Sequence, residues 1–163
     1  MQSSSIFVAL GSNLGDSHAI LSDAFLALSQ IAQTTLLQTS SIFQSAPVGY
    51  SEQNDFLNAV AHLKTKLHPV DFLKILQKIE QNFGRTRLFL NAPRTLDLDL
   101  LLFDDWVFKT PELIIPHPRM HLRAFVLLPL LEISPEIQIP GRGFAKAWIP
   151  AVYNQKISKK CVF

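Results

Sequence analysis

The sequence predicts an α+β protein with a ferredoxin-like βαββαβ core, in which helices lie on one face of a mainly antiparallel sheet, followed by C-terminal additions. Two observations predict this class. Along residues 5–103 the apolar residues follow the order strand, helix, strand, strand, helix, strand, which is the split βαβ arrangement. Right-handed crossovers then place both helices on the same side of the sheet, which leaves the opposite face for loops and ligand.

The first elements are a strand, a turn, a helix and a second strand. A short apolar strand is expected over Ser5–Leu10, and it ends at GSNLGD, residues 11–16. The glycines and the asparagine suit a tight turn, and no Lys-Ser/Thr follows as a P-loop requires, so we interpret the motif as a strand-to-helix turn. Helical spacing predicts a helix over Ser17–Ile31, and a second strand is expected over Leu36–Phe43.

A polar loop precedes the third strand. Residues 44–55, QSAPVGYSEQND, show no periodicity and have a length that often carries function. The third strand is expected over Phe56–Leu67, with Phe56 and Asn58 on one face at its start. Asn58 has the groups to hydrogen-bond a flat heterocycle, and a satisfied turn residue is the alternative. The second helix is expected to begin at Pro69 and to end near a glycine at 84.

The fourth strand lies in PRTLDLDLLLF, residues 93–103. Because successive side chains of a strand point to opposite faces, Leu98 and Leu100 should face a core, while Asp97 and Asp99 share the other face. Two carboxylates without nearby His or Cys favour Mg²⁺ before Ca²⁺ or Zn²⁺, and Mg²⁺ is usually held by one or two carboxylates together with substrate phosphates. An ordinary half-exposed strand shows the same alternation and is the alternative.

Five of the six arginines fall close to this strand in sequence: Arg85, Arg87, Arg94, Arg119 and Arg123. A guanidinium group matches phosphate oxygens with a planar fork. A small arginine cluster around two aspartates favours a nucleoside triphosphate over a nucleic acid, whose binding surfaces spread Lys and Arg over a whole face. A solvated charged face is the alternative.

The C-terminal additions begin with a hairpin turn at residues 104–106 and a short strand over Leu113–Ile115. The segment PHPRMHLR then leads into a helix that includes residues 125–131. Beyond Ser134 we expect a Pro-Gly turn, a short helix around Phe144–Trp148 and a solvated basic tail, KISKK.

The composition indicates one globular domain over residues 1–163, with 48% hydrophobic and 17% charged residues and a net charge of +2. Cys161 is the single cysteine, so no intramolecular disulfide can form, and a reducing cytoplasm is the expected compartment. The N-terminus lacks the basic region of a signal peptide, and no apolar stretch is long enough to cross a bilayer. We expect a monomer that binds small molecules and neither nucleic acid nor membrane.

Taken together, the motifs resemble the 6-hydroxymethyl-7,8-dihydropterin pyrophosphokinase family, which moves pyrophosphate from ATP to a pterin alcohol in folate biosynthesis and releases AMP. They are GSNLGD, SAPVGYSEQNDFLNA, IEQNFGRTR, PRTLDLDLLLF and IPHPRMHLRAFVLLPL, and they occur in the family's order over roughly Ile6–Ile139. The pattern most specific to this family is PRTLDLDLLLF followed by PH and then by Arg and Phe separated by one residue.

The resemblance implies ATP as co-substrate and two Mg²⁺ ions held by Asp97 and Asp99. The catalytic residues that it implies are Arg85, Arg94, Asp97 and Asp99. The nucleotide-binding positions that it implies are Gln77, Glu80, Arg87, Arg94, Leu100, Ile114, His117 and Arg123. For the pterin it implies a sandwich between Phe56 and Phe125, with Asn58 and the backbone around Ser45 and Val48 at the amide edge.

The chain departs from the family pattern in two places. Leu90, Asn91 and Ala92 stand where members often carry Arg-Trp-Gly, which makes the loop one residue shorter, and Pro118 follows His117 where Tyr is common.

Two other classes of protein share the predicted fold. An RNA-binding module would carry a K/R-G-F/Y-G/A-F motif, which is absent. A regulatory domain would bind the nucleotide or the pterin without forming a product.

Overall fold

The computed structural model describes residues 2–47, 53–84 and 95–161. The strands are β1 (Ser4–Ser12), β2 (Thr34–Thr39), β3 (Ile42–Ser45), β4 (Phe56–Thr65), β5 (Asp97–Phe103), β6 (Phe108–Lys109), β7 (Ile114–Ile115), β8 (Gln138–Ile139), β9 (Gly143–Phe144) and β10 (Ile157–Cys161). The helices are α1 (Ser17–Ser29), α2 (Pro69–Asn82), α3 (Ala124–Ile133) and α4 (Ile149–Val152), with 3₁₀ turns at Met120–Leu122 and Ala145–Trp148.

The main sheet has the strand order β10-β3-β4-β1-β5, with β2 also paired to β4, and its strands pair antiparallel within the described residues. This confirms the predicted α+β class with a mainly antiparallel sheet. The predicted second strand is divided in two by Ser40 and Ser41. The Ser40 hydroxyl accepts a hydrogen bond from the Val60 N–H at 2.8 Å. Between β2 and β3, a side chain therefore replaces one of the backbone hydrogen bonds of the sheet.

Local signals explain where the two core helices begin. The Asp16 carboxylate accepts a hydrogen bond from the Ala19 N–H at 3.2 Å and caps α1. Pro69 occupies the first turn of α2, where its missing N–H is not needed. Gly84 follows α2 with a φ of 72°, a left-handed conformation that glycine adopts without strain, so the chain can leave the helix there.

Helices α1 and α2 pack on the same face of the sheet, as predicted. Their buried side chains form one core with alternate residues of the strands, among them Val8, Leu98 and Leu100. The opposite face was expected to carry only loops and ligand, and this was wrong in part. Helix α3 covers much of that face, where Leu127 and its neighbours form a second core with Phe7. The uncovered part of the face lies near the ends of β1, β4 and β5.

A bulge in β5 explains why its alternation stops after Leu100. The antiparallel register pairs Val8 with Leu100 and Phe7 with Leu102, so Leu101 is an extra residue on β5. Leu101 and Leu102 both pack into the second core. The alternation that predicted two outward aspartates therefore holds for the first half of the strand only.

One expectation about the C-terminal additions was wrong, and a second holds only in part. Strand β6 pairs with β7 in a separate two-stranded sheet, so the turn at 104–106 does not form a hairpin with β5. The basic tail is largely exposed to solvent, as expected, but it is regular structure, because β10 pairs with β3 as an edge strand of the main sheet. The Lys159 Nζ lies 2.7 Å from the Glu132 Oε2 of α3, which fastens this edge strand to the helix. Among the described residues, no helix has the length and apolar character to span a bilayer.

Candidate active site

A cavity of about 200 Å³ opens on the uncovered part of the sheet face, between the strand ends and the start of α3. Seven of the predicted site residues line it: Ser45, Phe56, Asn58, Asp97, Asp99, Arg123 and Phe125. The structure therefore brings the predicted pterin residues and the predicted metal ligands into one site.

The strand register explains why these side chains meet. Asp97 lies opposite Gly11 of β1, and Gly11 lies opposite Asn58 of β4, so these residues form one row across three strands. Asp99 lies opposite Ala9 in the next row on the same face. Directly opposite residues of an antiparallel pair share a face of the sheet. Both aspartates are half-buried, with their carboxylates lining the cavity.

Gly11 keeps the floor of the cavity open. A Cβ atom at this position would lie 3.5 Å from the Asn58 Oδ1 and 3.7 Å from the Phe56 Cδ1. Any longer side chain would extend into the space between the amide and the aromatic ring. From the sequence this glycine was predicted to belong to a turn, although a glycine inside a strand pattern can mark a close approach of a ligand.

Asn58 is buried, and its amide is held in one orientation. The Nδ2 donates a hydrogen bond to the Ser45 hydroxyl at 2.7 Å. The Oδ1 is thereby left on the side of Gly11, where it can accept hydrogen bonds from N–H groups of a ligand. Asn58 lies inside β4 and not in a turn, its Nδ2 is satisfied by Ser45 as the structural alternative expected, and its role toward a heterocycle stays a prediction.

The strand that carries the aspartates is the edge of the sheet, and two contacts hold its free side. The Glu80 Oε2 accepts a hydrogen bond from the Leu98 N–H at 2.7 Å in the interior. Further along, the His117 N–H donates to the Leu101 carbonyl at 2.9 Å. Glu80 thus contacts the backbone between the aspartates, while Gln77 is exposed on α2. Their roles in nucleotide binding stay predictions.

A second cavity of about 260 Å³ lies on the other side of Asp99, which lines both cavities. Its apolar walls include Leu73, Leu100 and Ile114, and His117 lies beside them. Three predicted nucleotide residues therefore meet next to the metal-binding candidates.

His117 is neutral near pH 7. Burial, followed by the positive charges of Arg123 and Arg119, lowers its pKa to about 4, and the opposing effect of Asp97 is smaller. The His117 Nδ1 accepts a hydrogen bond from the Arg119 N–H at 3.1 Å. Since a neutral imidazole carries one proton, that proton is on Nε2, which can donate to an anionic oxygen.

The segment from the 3₁₀ turn into α3 places Arg123 and Phe125. The Arg123 guanidinium carbon lies 5.4 Å from the centre of the Phe125 ring. Gln155, from the C-terminal additions, holds this junction, because its Oε1 accepts from the Ala124 N–H at 2.8 Å and its Nε2 donates to the Leu122 carbonyl at 2.9 Å. Gln155 was not predicted as a site residue, because no local signal in the sequence marks it.

The GSNLGD turn also fastens the long polar loop. Asn13 is buried, and its Nδ2 donates to the Gln53 Oε1 at 2.6 Å and to the Asn54 carbonyl at 3.1 Å. The turn therefore caps α1 and, in addition, holds the end of the loop that precedes Phe56. The predictions for Val48 and for Arg85, Arg87 and Arg94 lie outside the described residues.

The oxygen donors of the site fit Mg²⁺. No group of three or more His, Cys, Asp or Glu side chains suited to a metal occurs within residues 2–47, 53–84 and 95–161. The candidates are two carboxylates, Asp97 and Asp99, beside two guanidinium groups. Such a pair leaves most coordination positions for water and substrate phosphates, as is usual for Mg²⁺.

The fold and the site define a class of α+β proteins in which an antiparallel sheet presents paired carboxylates between two small-molecule-sized cavities. The sequence model of 7,8-dihydro-6-hydroxymethylpterin-pyrophosphokinase matches residues 7–135. The chain belongs to this family.

Curated relatives agree with this assignment. A Bacillus subtilis 2-amino-4-hydroxy-6-hydroxymethyldihydropteridine pyrophosphokinase is 46% identical over 132 residues, which cover 81% of this chain and 79% of that protein. The Haemophilus influenzae protein of the same name is 44% identical over 153 residues, or 94% of this chain and 96% of its own length.

A similar solved structure is the Plasmodium falciparum HPPK-DHPS protein with pterin and p-hydroxybenzoate. Its TM-score is 0.73 at 15% sequence identity over 93% of this chain, and the match spans 43% of that longer chain. At this identity the likeness supports the ferredoxin-like fold and nothing finer.

Proposed function

We propose that the chain transfers a pyrophosphoryl group from ATP to 6-hydroxymethyl-7,8-dihydropterin in folate biosynthesis, with Asp97 and Asp99 holding two Mg²⁺ ions. The reaction follows from the family. One observation supports the site: the two aspartates line a cavity with aromatic and amide groups suited to a pterin, and Asp99 also borders the apolar cavity that contains His117.

The first cavity suits the pterin ring. Phe56 and Phe125 supply aromatic surface for a flat heterocycle, and stacking of this kind adds to the free energy of binding. The Asn58 Oδ1 can accept from the amino and ring N–H groups, because its Nδ2 is already engaged by Ser45. The 6-hydroxymethyl group would then point toward Asp97 and Asp99.

The second cavity suits the nucleotide. Leu100 and Ile114 offer apolar walls for the base, and the His117 Nε2–H can donate to a phosphate oxygen. Arg123 adds a fixed positive charge at the boundary with the first cavity. We include Gln77, Glu80, Arg85, Arg87 and Arg94 among the nucleotide residues on the resemblance alone.

The residues of the chain act mainly by positioning. The pterin hydroxymethyl oxygen attacks the β-phosphorus in line, the bond from that phosphorus to the α,β-bridging oxygen breaks, and AMP leaves. Mg²⁺ bound at Asp97 and Asp99 would neutralise charge on the phosphate oxygens during this displacement. Transfer of this kind depends on alignment and on electrostatic stabilisation and demands no strong general base.

The experiment that tests the function identifies the nucleotide product. The protein is incubated with ATP, the reduced pterin alcohol and Mg²⁺, and the nucleotides are separated by chromatography. AMP together with pterin diphosphate supports the proposal. ADP would indicate an ordinary kinase, and tight binding without a product would indicate a regulatory domain. A parallel incubation with a chelator tests the dependence on Mg²⁺, and we expect no AMP to form in it.

We also propose that residues 1–163 form one domain that works as a monomer in the cytoplasm. The same stretch of chain contributes residues to both cores, which supports a single domain. The chain has only one cysteine and so no intramolecular disulfide, which fits a reducing cytoplasm. Gel filtration with light scattering tests the oligomeric state.

A further inference from the structure

Arg119 lines the first cavity together with Asp97, Asp99 and Arg123. The sequence placed it in an arginine cluster suited to a nucleoside triphosphate, but the resemblance gives it no individual role. Its side chain is exposed. Within the part of the chain that the structure describes, its guanidinium makes no hydrogen bond or ion pair. A cation that lines a cavity without a protein partner is available to an anionic ligand.

The backbone of Arg119 is held on both sides. Its N–H donates to the His117 Nδ1 at 3.1 Å, and its carbonyl accepts from the Leu122 N–H at 3.0 Å. Pro118, directly before it, restricts the main chain further. The Cα atom of Arg119 is therefore fixed at the rim of the cavity. When the side chain binds a ligand, the conformational entropy that is lost is that of its own rotamers.

The location of Arg119 selects the group that it can bind. It lines the first cavity and does not line the second, where we place the base of the nucleotide. The pterin alcohol in the first cavity carries no negative charge. The anionic group that enters the first cavity is the pyrophosphoryl group, which arrives as part of ATP and remains there on the pterin.

We propose that Arg119 binds the transferred pyrophosphoryl group and retains it in the pterin diphosphate product. This inference rests on the proposed function. In the transfer, the bond from the β-phosphorus to the pterin oxygen forms as the bond to the α,β-bridging oxygen breaks, AMP takes that electron pair, and the hydroxyl proton passes to solvent. Arg119 and Arg123 add two positive charges around the moving group, beside the Mg²⁺ that Asp97 and Asp99 would hold.

The test compares Arg119→Gln with Arg119→Lys and with Lys66→Gln. Arg119→Gln removes the charge and leaves the backbone N–H that orients His117. Arg119→Lys keeps a point charge without the planar fork. Lys66→Gln removes one exposed positive charge beyond the far end of β4, away from the cavity, and serves as the matched control.

Calorimetry measures the affinity of each variant for AMP, for the pterin alcohol and for the pterin diphosphate. For Arg119→Gln we expect about tenfold or greater loss of affinity for the diphosphate, with the other two affinities changed less than about twofold. Arg119→Lys should recover part of the loss, and Lys66→Gln should bind all three ligands like the wild type.

Undiminished affinity of Arg119→Gln for the diphosphate would overturn the inference. An equal loss for all three ligands would also overturn it, because it would show a structural role. Wild-type protein that releases no AMP would defeat the proposed function itself, and that outcome is read separately from the variants.

Discussion

The Glu80 carboxylate accepts a hydrogen bond from the amide of Leu98 at 2.7 Å, and Leu98 is the residue between the two aspartates. An edge strand presents backbone groups that lack a neighbouring strand. Here a buried side chain from α2 occupies one of these positions. The orientation of both carboxylates therefore depends on a residue of another element.

Replacing Glu80 by alanine should loosen β5. The change leaves the Leu98 N–H without its acceptor in the interior, and we expect a loss of about 2 kcal/mol in the free energy of unfolding. Urea denaturation measures this loss, and hydrogen exchange at Leu98 should become faster. Glu80→Gln keeps an acceptor oxygen and serves as the milder control. If the Leu98 amide of the alanine variant exchanged at the wild-type rate, the hydrogen bond to Glu80 would be contradicted.

Replacing Asp97 by alanine should abolish turnover and leave the fold intact. Asp97 is half-buried at the cavity, so its removal costs little packing, while AMP release should fall by at least about a hundredfold because one proposed metal ligand is lost. Rates and thermal melting are measured together. Asp105→Ala removes an exposed carboxylate just beyond β5 and should behave like the wild type. A folded Asp97→Ala variant with normal AMP release would exclude the metal role.

Replacing Gly11 by valine should block the pterin. A Cβ added at this position would lie 3.5 Å from the Asn58 Oδ1, so the two methyl groups of valine would occupy the floor of the cavity. We expect at least about a tenfold weaker affinity for the pterin alcohol, measured by fluorescence, since ring and side chain would overlap. Gly11→Ala adds only the Cβ in ordinary contact and should have a smaller effect. Equal pterin binding by the valine variant would place the ring elsewhere.

Replacing Gln155 by alanine should weaken pterin binding from a distance. The change removes two hydrogen bonds that hold the start of α3 beside Phe125, which costs about 1–2 kcal/mol of stability. The Michaelis constant for the pterin alcohol should rise several-fold. Tyr153→Ala is the control, because that side chain is 83% exposed in the same segment. If both variants keep wild-type constants, the C-terminal segment does not position the site.

His117 should remain neutral well below its ordinary pKa. In the folded chain its pKa is about 4 against a usual 6.5, so between these values the unfolded chain binds a proton that the folded chain does not. Its contribution is constant above about pH 6.5 and falls as pH drops toward 4, by on the order of 3 kcal/mol. NMR titration of the ring measures this pKa in the ligand-free protein. A midpoint above 6 would contradict it.

Much of the fold followed from local patterns. The period of the apolar residues predicted the two core helices and the strands that carry Phe56, Asn58, Asp97 and Asp99, because one face of each element must be buried. The division of the second strand at Ser40 was missed, since a side chain replaces a ladder bond there and leaves the apolar pattern unchanged.

The sequence by itself determined the βαββαβ order, the shared face of Asp97 and Asp99 and the family motifs, because these depend on side-chain alternation and residue identity along short stretches. The tertiary structure alone decided that Gly11 opens the floor of the cavity, that Glu80 holds the edge strand and that Arg119 joins the rim. It also showed the basic tail as β10 and Gln155 as the support of α3. These contacts join residues far apart in sequence, and no local period or propensity encodes which distant backbone group a polar side chain will reach.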